Sequence, residues 1–244
     1  MTRPVYLVDG ARTPFLKAPG GPGPFTPVDL AVQCGRPLLM RQPMPRDAFD
    51  LVILGCVNVI QDEMNPARVA ALRLGMGDEQ VAFTVQINCG SGMQSTAFRY
   101  IRDGSHEMIL AGGTEALSHA PLVYNREATE WFGGMARAKG ALDKAAKLTE
   151  LRPDFFSPVI GLERGLTDPI TALNMGQTAE VLAHRFGIDR ETADAYAVDS
   201  HKRLAAAQAD GRLDGEVLPA FDRDGGAHAK DDGARAGPDC AAGR

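Results

Sequence analysis

The sequence predicts an α/β fold in which helices flank one mixed, mostly parallel sheet, with a further loop-rich layer after it. Short apolar runs rich in Val, Ile and Leu alternate with helical segments along the first half of the chain. Such runs between glycines are typical of buried parallel strands, which need right-handed crossover helices. Of the 244 residues, 44% are hydrophobic and 23% charged, as in ordinary globular proteins. The predicted strands are residues 5–8, 51–54, 81–87 and 108–111.

Helices are expected between these strands. The first covers residues 27–41, and Pro37 should kink or end it because proline removes a helical hydrogen bond. In the second, Asn65 is a typical N-cap and Pro66 a typical first helical residue. The side chains expected to point inward from this second helix are Val69, Leu72 and Leu74.

The third strand leads into the most informative residue, Cys89. Its apolar run stops there, and a Gly-Ser-Gly turn and a predicted helix follow. A thiol at this junction meets the unpaired N–H groups and positive dipole end of the helix, which favours the nucleophilic thiolate. The glycines leave room for a substrate to approach the backbone. The alternative is a buried structural cysteine, a common state of free cysteines. The predicted helix carries Met93, Ala97, Tyr100 and Ile101 on one face and ends at Gly104.

The alternation of apolar runs and helical segments stops after Ala120. Residues 121–171 are irregular and contain four prolines and a basic, alanine-rich stretch. Two helices follow, at about 175–186 with Gly187 after it and from the N-cap Asp189 to Asp210. We therefore predict an α/β domain over 1–120, a covering layer over 121–235, and a disordered tail over 236–244, where apolar periodicity is lost.

Composition excludes several classes of function. A net charge of −5 argues against a nucleic-acid partner, and no apolar run approaches the roughly 18 residues of a membrane span. The start of the chain runs directly into a strand-like segment, so we expect no signal peptide, and the four scattered cysteines suit neither a zinc site nor a disulfide framework. We expect a reduced, cytoplasmic protein. The glycine-rich residues 20–24 lack the pattern of a phosphate-binding loop.

Four motifs, in order along the chain, resemble those of the thiolases, the acyl-CoA acyltransferases. The resemblance covers about Pro4 to Arg235 and implies the thiolase-like layered fold, with a coenzyme A-covering loop domain over 121–235 and a second, homologous α/β domain missing. The motifs are Val8-Asp9-Gly10-Ala11-Arg12-Thr13-Pro14-Phe15, Asn88-Cys89-Gly90-Ser91-Gly92-Met93-Gln94, Leu110-Ala111-Gly112-Gly113-Thr114-Glu115-Ala116-Leu117-Ser118 and Asn174-Met175-Gly176-Gln177-Thr178-Ala179-Glu180.

The resemblance implies covalent catalysis by Cys89. The thiol attacks an acyl-CoA carbonyl and carries the acyl group as a thioester, while the Cys89 backbone N–H helps to stabilise the oxyanion. The reaction cleaves a 3-oxoacyl-CoA with coenzyme A or condenses two acyl-CoAs, with coenzyme A as substrate and no permanently bound cofactor or metal. The motif at 174–180 is closest to the thiolases of fatty-acid breakdown. A homodimer or homotetramer is implied.

Other candidate residues have competing interpretations. Met175 resembles a residue that contacts the pantetheine arm, and the alternative is a core methionine. Arg235 resembles an arginine near the nucleotide of coenzyme A, and the alternative is a surface arginine. His119 is either a cleft residue or a hydrogen-bonded loop histidine, and Glu115 either a general acid or the support of a turn.

Thiolases also use a His in a Gly-His-Pro segment and a Cys in a Cys-x-Gly segment, and this sequence contains neither. A nucleophile without its base loses orders of magnitude in rate, so we expect little turnover from this chain alone. Two other functions stay open. One is a non-catalytic coenzyme A-binding or dimerising partner, and the other is a ketosynthase-like condensing enzyme, against which the motif at 174–180 argues.

Overall fold

The computed structural model describes residues 3–18, 20–95 and 98–235, and the predicted tail at 236–244 lies outside them. The described residues form two compact units. One contains the residues before Ala120 together with those after Gly187, and the other is Ala120–Gly187. The described residues from Ile188 to Arg235 therefore belong to the same unit as the sheet, whereas the predicted covering layer joined them to residues 121–187.

The centre of the first unit is a parallel sheet, as predicted. Its strands are β1 (Leu51–Gly55), β2 (Val81–Val85) and β3 (Ile109–Gly113), in the order β2-β1-β3. Both pairings are parallel and in register, so that Gly55 lies opposite both Val85 and Gly113. Every residue of β1 is buried, which explains its uninterrupted apolar run. The carboxyl ends of the three strands therefore meet at one edge.

Two helices cover this sheet. Helix α1 (Pro27–Met40) begins with a capping box between Thr26 and Asp29 and continues through Pro37 to Met40. Of the two effects predicted for Pro37, a kink or an end of the helix, the end is wrong, and Leu39 beyond it is buried in the core. Helix α2 (Pro66–Arg73) starts at the predicted cap, where the Asn65 side chain accepts from the Arg68 N–H.

Of the three side chains predicted to point inward from α2, Leu74 is buried and Val69 packs against the core, and the prediction is wrong for Leu72. Ala67, Ala70, Ala71 and Leu74 are at most 2% exposed, whereas Leu72 is 47% exposed. These four positions follow the i, i+3, i+4, i+7 spacing of one helical face, and Leu72 lies outside that spacing. Small alanines allow α2 to pack closely against the sheet and α1.

The predicted strand at 5–8 is not formed. This segment has no regular structure, and Tyr6, Leu7 and Val8 are 75%, 94% and 76% exposed. A strand exists only through pairing with a neighbour, and none of the described strands pairs with these residues. Residues on either side of this segment hold it to the rest of the unit. The Arg3 N–H donates to the Arg102 carbonyl, and Asp9 forms an ion pair with Arg41.

The single helix expected after Cys89 is present as two short pieces, α3 (Ser91–Gln94) and α4 (Phe98–Arg102). Ser95 caps the end of α3, and Ala97 lies outside the described residues. Glycine and serine are weak helix formers, which agrees with the short first piece. Gly104, at φ +83°, closes α4 with a left-handed residue, as predicted.

The second unit has more regular structure than predicted for residues 121–171. The additional elements are a two-stranded antiparallel pair, β4 (Leu122–Val123) with β5 (Val159–Ile160), and the helices α5 (Arg126–Arg137), α6 (Ala141–Leu148) and α7 (Gly161–Gly165). The prolines that suggested irregularity lie between or beyond these elements. The unit ends with the predicted helix α8 (Met175–Phe186), capped by Asn174 and by left-handed Gly187.

The chain then returns to the first unit. Helix α9 (Arg190–Ala209) has the predicted cap Asp189, and left-handed Gly211 follows it. A small hairpin of β6 (Ala220–Phe221) and β7 (Ala227–His228) comes next. Its Phe221 backbone hydrogen-bonds the Gln33 side chain on α1, which attaches this late segment to the sheet unit.

Candidate active site

Cys89 lies at the carboxyl edge of the parallel sheet. It follows the end of β2 by four residues and precedes α3 by two. Its thiol is free and its side chain is exposed, whereas Cys56 is buried. In open α/β sheets this edge is the usual location of ligand sites. The exposure removes the alternative of a buried structural cysteine at position 89.

The turn that carries Cys89 contains a left-handed residue. Asn88 has φ +53°, a conformation that asparagine adopts more readily than most L-residues. The Ser91 hydroxyl accepts from the Ile87 N–H at 3.0 Å and donates to the Asn88 carbonyl at 2.6 Å. The Gly90 N–H also donates to the Ile87 carbonyl at 3.2 Å. These bonds close the turn around the thiol.

Glycines at the ends of β1 and β3 make room for this turn. A Cβ placed on Gly55 would lie 2.3 Å from the Ser91 carbonyl oxygen, and one on Gly113 would lie 3.2 Å from the Gly92 Cα. Contacts below 3.0 Å essentially do not occur for real side chains. The backbone at the start of α3 therefore packs directly against the glycine backbone at the ends of β1 and β3.

Glu115 connects the loops that follow β1 and β3. Its carboxylate accepts from the backbone N–H groups of Val57 at 2.9 Å and Asn58 at 3.1 Å. This is the arrangement of a carboxylate that supports a turn. Burial, together with the negative charges of Glu115 and Glu63, raises the pKa of the Cys56 thiol to about 12. Cys56 is thus protonated at neutral pH and unsuited to nucleophilic attack.

His119 is a hydrogen-bonded loop residue in this structure. Its Nε2–H donates to the Gly23 carbonyl at 2.9 Å, and the neighbouring Ser118 hydroxyl accepts from the Gly23 N–H at 3.1 Å. Both bonds hold the glycine-rich loop over 20–24 in place. Among the described residues, no side chain hydrogen-bonds the Cys89 thiol, so no base is in contact with it.

The other two predicted site residues lie in different parts of the chain. Met175 is the first residue of α8 in the second unit and is 48% exposed. Arg235 is in the first unit and exposed, and its backbone N–H donates to His201 Nδ1 on α9 at 3.4 Å. Contact of either residue with coenzyme A remains a prediction.

Ser91, Gly55 and Gly113 were not recognised as site residues from the sequence. The available signal was a glycine at the end of each of the strands β1 and β3, in Leu54-Gly55-Cys56 and Gly112-Gly113-Thr114. The importance of these glycines depends on strand order, which brings the ends of β1 and β3 under the turn.

Comparison with known families agrees with this geometry. The family model for the thiolase N-terminal domain matches residues 5–238, which is nearly the whole chain. The chain belongs to the thiolase family. The family resemblance and the α/β fold class of the sequence analysis are thereby confirmed.

The thiolase relatives are about twice as long as this chain. It is 36% identical over 220 residues to a beta-ketoadipyl-CoA thiolase of Acinetobacter baylyi and 34% identical over 219 residues to the mitochondrial trifunctional enzyme subunit beta of Bos taurus. These alignments cover 88% and 89% of this chain but 51% and 45% of the relatives. The chain thus spans about half the length of the curated relatives that it matches.

Solved thiolase structures have the same fold. The acetyl-CoA acetyltransferase of Bacillus anthracis and human mitochondrial 3-ketoacyl-CoA thiolase in complex with CoA each match with a TM-score of 0.75 and 30% identity. The matches cover 93% and 92% of this chain and 54% and 53% of those structures. Within the described ranges, no helix combines the length and apolar character that a membrane span requires.

Proposed function

We propose that this chain provides the acyl-accepting half of a thiolase, with Cys89 as the nucleophile. The Cys89 thiolate attacks the carbonyl carbon of an acyl-CoA, the bond from that carbon to the coenzyme A sulfur breaks, and coenzyme A leaves as a thiolate that takes up a proton. The product is an acyl thioester on Cys89. The observation that carries the proposal is the exposed thiol at the carboxyl edge of the sheet, on a hydrogen-bonded turn.

The complete reaction is the cleavage of a 3-oxoacyl-CoA by coenzyme A, or its reverse. Coenzyme A and its esters are the substrates, and the chemistry uses no other cofactor. Met175 and Arg235 are proposed to contact coenzyme A, and the Cys89 backbone N–H to stabilise the oxyanion. The names of the relatives, which include ketoadipyl and ketoacyl thiolases, support this substrate class. A role in fatty-acid breakdown and a cytoplasmic location belong to the same proposal.

This chain alone is expected to form the acyl-enzyme but to turn over slowly. No described side chain contacts the Cys89 thiol as a base, and the sequence has no Gly-His-Pro or Cys-x-Gly segment. Loss of the base from a nucleophile–base unit costs orders of magnitude in rate. Rapid thiolysis of a 3-oxoacyl-CoA by the purified chain would contradict this expectation.

Acylation of Cys89 is the deciding measurement. The chain is mixed with acetyl-CoA at mildly alkaline pH, and the modified peptide is identified by mass spectrometry. We expect an acetyl group on Cys89, its loss in Cys89→Ala, and its retention in Cys34→Ala, where the replaced thiol is part-buried and bonded to the Ala11 carbonyl. Coenzyme A binding without an adduct would instead support a non-catalytic partner. Acylation only from an acyl-carrier protein would support a ketosynthase-like enzyme.

Self-association is proposed as a homodimer or homotetramer. Large apolar side chains are exposed in the isolated chain, among them Leu7, Val8 and Ile170 at 94%, 76% and 92%. Exposed apolar surface favours association. Light scattering behind size-exclusion chromatography tests this, and a monomer at micromolar concentration would contradict it.

A further inference from the structure

We infer that Ser91 is a positioning residue that holds the Cys89 thiol in its reactive orientation, an inference that rests on the proposed acyl transfer to Cys89. The inference comes from three observations: the two hydrogen bonds of the Ser91 hydroxyl, the burial of this side chain, and the contact of its backbone with Gly55.

The Ser91 hydroxyl connects the two residues that precede the thiol. It accepts from the Ile87 N–H and donates to the Asn88 carbonyl, so one side chain holds both peptide groups that enter the turn. Ser91 is 4% exposed, and water therefore has little access to replace these bonds. Because Asn88 is left-handed, the turn depends on such bonds to keep its conformation.

The backbone of Ser91 is itself held by the sheet. Its carbonyl oxygen occupies the space beside Gly55 that a Cβ would fill, and Gly92 packs in the same way against Gly113. The ends of β1 and β3 thus fix Ser91, and the Ser91 hydroxyl fixes the turn that carries Cys89. Through these contacts, the sheet restricts the movement of the turn that carries the exposed Cys89 thiol.

Ser95, the residue that caps the end of α3, provides a matched control. It is also buried, at 1% exposure, and its hydroxyl also donates to a carbonyl three residues earlier, that of Gly92 at 2.6 Å. Its bond does not involve the residues on either side of Cys89. Ser95→Ala therefore removes an equivalent local hydrogen bond without releasing the turn.

The test measures acylation of Cys89 by acetyl-CoA under single-turnover conditions. We expect Ser91→Ala to lower the rate constant at saturating acetyl-CoA roughly tenfold, because both buried hydrogen bonds of this hydroxyl are lost from the aligned state. The half-saturating concentration should be unchanged, since Ser91 is proposed to orient the thiol and not to bind substrate. Ser95→Ala should stay within about twofold of the parent, and Ser91→Thr, which keeps the hydroxyl, should recover most of the rate.

Amide hydrogen exchange separates this inference from the proposed function. Ser91→Ala should speed exchange at the Ile87 N–H, and Ser95→Ala should not, whether or not the protein accepts an acyl group. If the parent chain is not acylated but this exchange pattern holds, the proposed function fails and the positioning of the turn stands. Unchanged exchange at Ile87 in Ser91→Ala, or equal loss of acylation rate in both alanine variants, would overturn the inference.

Discussion

At the residue scale, the site depends on backbone geometry that few side chains permit. A left-handed conformation costs most L-residues about 1–2 kcal/mol, and asparagine at position 88 is among the residues that adopt it more readily. The strand ends under this turn carry glycine because the Ser91 carbonyl occupies the position of a Gly55 side chain. Contacts between backbone atoms of the turn and of the strand ends thus hold the exposed thiol in place.

Gly55→Ala tests this close packing. The added methyl group overlaps the Ser91 carbonyl, so we expect the free energy of unfolding to fall by about 1–3 kcal/mol, as for overpacked core positions. Gly215→Ala is the control, because a Cβ there meets no atom within 4 Å. Urea denaturation of the three proteins measures the difference. Equal stability of Gly55→Ala and the parent would show that the turn moves away from the sheet at little cost.

At the element scale, helix α2 shows how one polar residue joins a helix to the sheet. The Asn65 Oδ1 accepts from the Arg68 N–H as a helix cap and from the Thr84 hydroxyl on β2 at 2.9 Å. Its Nδ2 donates to the Ala82 carbonyl at 3.1 Å. Asn65 thus caps the helix and also fixes its position along β2.

Asn65→Ala should therefore cost more than the loss of a simple cap. We expect a destabilisation of about 2 kcal/mol, compared with about 1 kcal/mol for Asp189→Ala at the start of α9, where the side chain caps only Thr192. Thermal and urea unfolding of both variants give the comparison. If the two substitutions cost the same, the bonds from Asn65 to β2 contribute nothing measurable to stability.

At the scale of the whole molecule, an ion pair in the first unit joins the beginning of the chain to residues more than 200 positions later. The Arg12 guanidinium binds both carboxylate oxygens of Asp231, at 2.7 and 2.9 Å, and also binds Glu216 at 2.6 Å. The Asp231 side chain is 3% exposed. The hydrogen bond from Arg12, with the further bond from the Phe15 N–H, holds the pKa of Asp231 below its usual value.

This lowered pKa predicts an acid-dependent loss of stability. The unfolded chain binds a proton at Asp231 at higher pH than the folded chain, so the contribution is present above the usual aspartate pKa and disappears as pH falls through the lower folded value. Asp231→Asn should lower stability near pH 7 by about 1–3 kcal/mol, and the difference from the parent should shrink below about pH 4. Denaturation midpoints across this range measure it. Exposed Asp224→Asn is the control, and a pH-independent difference for Asp231→Asn would contradict the linkage.

Local patterns were sufficient to predict several elements of this chain. The apolar runs of β1, β2 and β3, the caps at Asn65 and Asp189, and the left-handed Gly104 and Gly187 after their helices are determined by short-range chemistry. The position of Cys89 between a strand and a helix was predictable for the same reason. Helices α5 and α6 were missed because nearby prolines suggested irregular structure, although those prolines lie outside both helices.

The sequence by itself therefore determined the fold class, the family and the candidate nucleophile, since each depends on residues that are neighbours in the chain. Tertiary structure alone decided that residues 5–8 form no strand, because a strand needs a partner that local composition does not supply. Tertiary structure also decided that Glu115 connects two loops and that the Ser91 backbone packs against Gly55 next to the turn that carries Cys89. These contacts join residues tens of positions apart, and strand order, not local sequence, brings them together.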